Sequence, residues 1–146
     1  MSRISFRLKN LKKFNKSLDN AFKRGTKTNV KRAVFNSANA VRNTAIESIR
    51  SGNKSGRIYK RGDVIHRASA PGEAPATDTG FLINQITTEV KTKKSKVIGQ
   101  IIASAPYAKH LEFGTINMMA RPYMQPALDK NKDKIKSIFK REGVIK

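Results

Sequence analysis

The chain has 146 residues, enough for one domain with a modest core, and no cysteine, which excludes disulfides and thiol chemistry. Its 31 Lys and Arg against 10 Asp and Glu give a formal net charge of +21, and its apolar fraction of 38% is low for a self-sufficient globule. Such a charge favours an anionic partner, whether nucleic acid, a membrane surface or an acidic protein; the plainer reading is a solvated, highly soluble surface.

The excess lies at both ends. Residues 1–50 hold 13 basic and 2 acidic side chains, residues 51–85 hold 5 and 3, and residues 86–146 hold 13 and 5. No run approaches the roughly 20 apolar residues that cross a bilayer. A basic amphipathic helix can lie on a membrane, but the apolar face near the N-terminus is short and suits core packing, so no membrane partner is expected. The opening MSRISFRLKNLKKF lacks the apolar core and small-residue cleavage site of a secretory leader.

Leu8, Leu11, Phe14, Leu18 and Phe22 recur at three- and four-residue steps, predicting an amphipathic helix from near Asn10 to Arg24, with Gly25 as its stop. A second helix is predicted where Val30, Val34, Ser37, Val41 and Ala45 share a face beside Ala38 and Ile49. Ala33, Ala38, Ala40 and Ala45 keep it slim enough for another element to approach closely. Thr28 or Asn29 is the candidate cap, and Ser51-Gly52 the end.

From Ser51 to Thr79 the periodicity fails, in a stretch rich in Gly, Pro, Ser and Ala. A structureless loop of that length is unusual inside a compact domain. Two readings stand: a small hairpin pairing Arg57–Tyr59 with Val64–His66 across Lys60–Asp63, or an arm ordered only against a partner. The arm suits the second half better, where Pro71 and Pro75 stiffen a segment with little to bury.

Beyond Thr79-Gly80, Phe81, Leu82 and Ile86 predict a helical turn. The alternation from Ile86 to Val90, then the β-branched run around Val97, Ile98, Ile101 and Ile102, predict an antiparallel hairpin turning through Lys91–Lys96. APYAKHLEFGTINMMARPYMQPAL, Ala105 to Leu128, reads as a short helix or turn, a corner at Gly114, an extended connection and a last helix running from Tyr123 or Met124 to about Arg141. Gly80, Gly114, Pro122 and Pro126 are the positions expected to set backbone geometry, the last by lying in a first helical turn. The expected class is α+β: a small antiparallel sheet against two N-terminal helices and one C-terminal helix, with an extended arm over 51–79, all in one domain spanning 1–146.

Catalysis is hard to find. His66 and His110 lie in different contexts, and no nucleophile elbow, dinucleotide fingerprint or phosphate-cradling loop is present. His110 with Glu112 is too incomplete a ligand set for a metal. Arg61-Gly62-Asp63 spells an adhesion tripeptide but reads more simply as a turn. No catalytic, metal or cofactor residue is therefore assigned, and a small enzyme such as a nuclease ranks last, for want of clustered carboxylates.

Three strings in order, HRASAPGEAPATDTG at His66–Gly80, PYAKHLEFGT at Pro106–Thr115 and ARPYMQPAL at Ala120–Leu128, resemble the tail-completion and neck proteins of tailed bacteriophages, the gene-ten-like minor tail component family. The family signature falls on Tyr107, Glu112, Phe113, Gly114 and Thr115, and the helix entry on Ala120, Pro122, Pro126 and Ala127. The high positive charge is a departure from the family pattern. The resemblance implies a non-enzymatic structural protein of the virion neck, assembled in the host cytoplasm. It implies a ring of several copies, six by expectation, between a head-side connector or stopper and a tail terminator or tail tube, around the genome passage. DNA in that lumen is a further sequence-independent contact. Within this reading Tyr107, Leu111, Phe113 and Tyr123 are core or interface anchors. Glu112 either caps a backbone turn or pairs with a neighbouring subunit's Arg or Lys, and Arg121 is a second candidate for pairing between subunits. Arg57, Tyr59, His66, Arg67, Pro71 and Pro75 belong to the assembly arm. The alternative function is a basic, sequence-independent nucleic-acid-binding module.

Overall fold

A computed structural model describes residues 27–93 and 96–145. The helix expected over residues 10–24 lies outside the described residues. The architecture is α+β, with five helices and two separate two-stranded antiparallel sheets among the described residues.

Helix α1, Lys27–Ser51, is the spine. Val30, Ala33, Ser37, Ala38, Val41, Ala45, Ile46 and Ile49 are buried along it, the three- and four-residue recurrence of a core-facing stripe. Thr28 and Asn29 lie inside this helix rather than capping it. It ends where the Gly52 N–H donates to Ser48 O at 3.0 Å.

Strands β1, Ile58–Arg61, and β2, Val64–Arg67, form a ribbon joined by Gly62-Asp63. Tyr59 faces His66 and Arg61 faces Val64, so the pairing runs deeper and in a different register than the sequence predicts. The adhesion-like tripeptide spans the turn, where Gly62 has φ +59°. Two-residue loops of this kind favour glycine at positive φ because their twist matches that of the flanking strands.

Helix α2, Phe81–Asn84, leads into β3, Ile86–Lys93, which pairs with β4, Lys96–Ala103, from Ile86↔Ala103 to Lys93↔Lys96. The strands therefore extend into the lysine-rich segment expected to be the turn; alternating Lys and Thr suit a solvated strand end. Helix α1 covers one face of this hairpin. The close approach is made at Gly99, where a Cβ would stand 2.8 Å from Val34 Cγ1 and 3.4 Å from Ala38 Cβ. Glycine opposite small helical residues lets backbone meet backbone, and Arg42 Nε fixes the register by donating to Ile86 O at 2.7 Å.

The last helix is two helices. After α3, Ala108–Phe113, come α4, Met124–Lys130, and α5, Lys132–Arg141, separated at Asn131. Asn131 is buried, and its Nδ2 donates to Thr44 Oγ1 and Ala127 O, both at 2.8 Å. The break thus carries a polar tie to α1 inside the core. Helix α5 closes with Gly143 at φ +69°; its N–H donates to Lys140 O, and Val144 N–H donates to Phe139 O. That is a Schellman cap, with the accompanying burial of Val144 and Phe139.

Candidate assembly surface

Helix α3 has six residues, and its inner face is set by four-residue spacing: Ala108 and Glu112 are buried, while Lys109, His110 and Phe113 face out. The one carboxylate of this segment points inward, at 4% exposure. Its Oε2 accepts from the Tyr123 and Met124 N–H groups at 2.9 and 3.0 Å, and Oε1 from Gln125 N–H at 2.9 Å. A helix start leaves four N–H groups without intrahelical acceptors. Here Glu112 takes three of them and the fourth position is Pro126, which has no N–H. A negative charge at that end also complements the helix dipole.

Of the two roles expected of Glu112, capping a backbone turn or pairing with a neighbouring subunit, the geometry supplies the first. The carboxylate oxygens are occupied within the chain and turned away from solvent. It is not a metal ligand beside His110 either, since His110 lies on the exposed side of the same helix. Among the described residues no group of three or more His, Cys, Asp or Glu is placed to hold a metal ion.

Tyr123 is fully buried and its hydroxyl makes no hydrogen bond. Burial, then the negative charge of Glu112 and the neighbouring Tyr107, hold its phenol well above the usual range, so it stays protonated. Leu111 is half-buried against the core. The other two expected anchors are not in the core: Phe113 is 61% exposed, and Tyr107 touches Phe81 at 6.2 Å between ring centroids while also lying at the surface. The aromatic residues flank the helix face that Glu112 shares with Ala108, so helical periodicity sends the acid in and Phe113 out.

Gly114 follows with φ +75° and ψ −178°, a conformation open in practice only to glycine. A Cβ there would also stand 2.8 Å from Met118 O and 2.9 Å from Ala120 N. The chain doubles back through a turn in which Thr115 pairs with Met118, presenting Ile116 fully exposed and Met119 71% exposed. Phe113 to Ala120 carries no charge. Pro122 lies in the extended connection that follows, and Gly80 takes φ +77° at the start of α2.

Arg121, the other expected intersubunit partner, is engaged internally: Nε donates to Ser69 O at 3.2 Å, and its backbone N–H donates to Leu111 O. Ser69 belongs to the segment expected to be a free arm. Gly72 N–H donates to Ala120 O, Ser69 and Pro75 are buried, and Ala74 packs on the core. The Glu73 carboxylate ties the two ends of the ribbon together by accepting from Ser55 Oγ, Ser55 N–H and Ala70 N–H. The Ser55 hydroxyl first, then the Ser55 and Ala70 N–H groups, hold its pKa below the ordinary 4.5.

Residues 68–79 are therefore seated on the body, Pro71 at their surface and Pro75 beneath it. Only the ribbon from Arg57 to Arg67 stands out. Ile58, Tyr59, Val64 and Ile65 are each at least half exposed on it, Arg57 lies over the Tyr59 ring at 5.7 Å, and His66 is half-buried.

Among the residues that sequence reasoning missed are Asn131 and Gly143. The second had a signal, Gly followed by Val just past a basic helix end. The first had none beyond an Asn among lysines.

The surface thus has two kinds of projection on a body pinned by backbone capping, the uncharged turn over 113–119 and the basic ribbon. No helix among the described residues is long and apolar enough to cross a membrane. No curated protein and no solved structure matches the chain. One family model, "Bacteriophage HK97-gp10, putative tail-component", matches residues 12–114, a span that ends at the Gly114 corner and leaves α4 and α5 beyond it. The chain belongs to the HK97-gp10-like family of bacteriophage tail components.

Proposed function

We propose that the protein is a structural ring component of the virion neck, joining the tail to the head-side connector around the genome passage. The observation that carries this reading is the β3–β4 hairpin. Among the described residues it has only two strands, so the outer edge of each lacks a strand partner there, and α1 covers one face. An open edge accepts a neighbouring strand by backbone pairing, and identical subunits joined head to tail close into a ring when the rotation permits. The uncharged turn around Ile116 and Met119 offers apolar surface for the same contact. In assembly, the low apolar content is offset by burial between subunits.

Imaging of particles labelled on this protein tests the location. Label at the head–tail junction is expected; label on the capsid shell or the distal tail tip refutes the neck assignment. Light scattering of the purified chain tests the ring, and a monomer at all concentrations, with or without the adjoining connector, refutes it.

A second reading, a sequence-independent DNA contact, is favoured by the +21 charge. It predicts an affinity for duplex DNA that falls linearly with salt on a log–log plot, steeply if many phosphates are met. Salt-independent or absent binding removes it.

A further inference from the structure

The ribbon of β1 and β2 packs substantially on no other helix or strand among the described residues. On one face it carries Tyr59, Arg61, Val64 and His66, and on the other Ile58, Lys60, Ile65 and Arg67. Each face therefore alternates large apolar with basic side chains. Arg61 is paired with Asp78 at 3.0 Å. Lys60 and Arg67 meet no carboxylate within ion-pair distance among the described residues.

A second copy of the chain is poorly equipped to receive this surface. Glu142 is held by Arg32 and Arg141, Asp78 by Arg61, Glu89 by Lys91, Asp129 by Lys132 and Asp133 by Lys136. Glu47 accepts from Ser51, Glu73 from Ser55, and Glu112 caps α4. The remaining described carboxylate, Asp63, is on the ribbon itself. Residues 1–26 add eight basic residues and one acidic, so they supply no neutralisation. A second copy thus brings only carboxylates already matched by its own cations, and an acidic segment of a different molecule complements the ribbon better.

Phosphates would satisfy the cations and leave the apolar side chains in water. Ile58, Tyr59, Val64 and Ile65 fit instead a surface that offers apolar groups between its negative charges. We propose that the β1–β2 ribbon docks an acidic segment of another protein, one whose apolar side chains alternate with its carboxylates. Both outer edges of the ribbon lack a strand partner among the described residues, so an extended acidic segment can add to either by backbone pairing while its side chains match the two faces.

The test uses the purified full-length chain and three labelled probes: an extended peptide alternating Val and Glu, the same peptide with Ser for Val, and a short DNA duplex. Fluorescence anisotropy is read for the parent, for Ile58→Ser/Ile65→Ser and for Lys60→Glu/Arg67→Glu. Because the ribbon packs on little else, both variants keep the parent melting temperature, which is checked first. The Val/Glu peptide binds more tightly than the Ser/Glu peptide, and each double variant weakens it about tenfold, the loss expected when two interface side chains are removed. The apolar variant leaves DNA binding unchanged.

Equal binding of the two peptides, or indifference of the Val/Glu peptide to Ile58→Ser/Ile65→Ser, overturns the proposal. If only the charge reversal matters, and only for DNA, the ribbon is a nucleic-acid contact. If sedimentation shows the apolar variant dissociating an oligomer of the parent, the occupant is a second copy.

Discussion

Glu112 gives the sharpest test of how this chain holds its surface in place. In Glu112→Gln the side chain keeps one acceptor for Tyr123 and Met124, but its amide group meets the Gln125 N–H as a second donor. One charge-assisted bond of 2.9 Å is lost outright and two more, at 2.9 and 3.0 Å, become neutral. Charge-assisted bonds contribute roughly 1.5–3 kcal/mol and neutral ones about 1. Against the sum stands the relief of no longer burying a charge, so the net cost is about 2 kcal/mol. Glu112→Ala orphans all three donors and leaves a void, for about 4 kcal/mol. In a chain of this length those costs lower Tm by roughly 4–8 °C and 8–16 °C. Urea unfolding gives the free energies. Hydrogen exchange at the Tyr123, Met124 and Gln125 amides supplies a local readout, faster in both variants. If Glu112→Gln melts with the parent and those amides stay protected, the carboxylate is not the cap of α4.

Three other perturbations separate the parts. Gly114→Ala forces a Cβ to within 2.8 Å of Met118 O at a φ of +75°, and costs about 2–4 kcal/mol by urea unfolding; an unchanged midpoint shows that the corner relaxes freely. The Glu73 carboxyl has its folded pKa depressed, so its stabilisation is complete above the ordinary 4.5 and is lost as pH falls through the lower folded value. Glu73→Gln should therefore flatten the acid limb of the Tm–pH profile, and a limb of unchanged steepness refutes the assignment. Replacing the ribbon from Ile58 to Arg67 with Gly and Ser should leave Tm within a few degrees of the parent, whereas deleting Ile58 through Ala76 removes buried Ser69 and Pro75 and should unfold the chain; equal stability of the two variants refutes the seating of residues 68–76.

The elements that the sequence announces are those whose burial repeats with a fixed period. Helix α1 is legible because its apolar and small residues recur at helical spacing over many turns, and β3–β4 because β-branched residues alternate. A capping role for Glu112 was one of two readings the sequence offered; that the cap closes the start of α4 was not legible, because Glu112 is distant along the chain and lies on a helix too short to show its own period. In so short a helix the sequence does not say whether Phe113 or Glu112 faces the core; the four-residue spacing from Ala108 turns Glu112 in and Phe113 out. The seating of residues 68–79 was hidden for a related reason. On its own side the segment uses backbone groups, the Gly72 N–H donating to Ala120 O and the Ser69 carbonyl accepting from Arg121 Nε, so a composition of Ala, Pro and Ser looks unattached. Asn131 shows the same limit, since only the three-dimensional approach of Thr44 makes it a core residue.

The two exposed projections differ in a way that salt can read. The turn from Phe113 to Ala120 is uncharged, while the ribbon from Arg57 to Arg67 carries four Lys or Arg against one Asp. Two copies of a +21 chain repel, and at about 0.15 M salt that repulsion is screened beyond roughly 8 Å. Contact through the uncharged turn and the open β3 or β4 edge therefore tightens as salt rises, because screening removes the opposition and leaves apolar burial intact. Docking of the ribbon to an acidic segment weakens over the same range, because screening removes its attraction. Sedimentation of the parent should show self-association growing with salt and reduced by Ile116→Ser/Met119→Ser, while binding of the Val/Glu peptide declines. Self-association that dissolves in salt and ignores the turn variant would mean that ionic contacts join the copies, and the division of labour between turn and ribbon would be wrong.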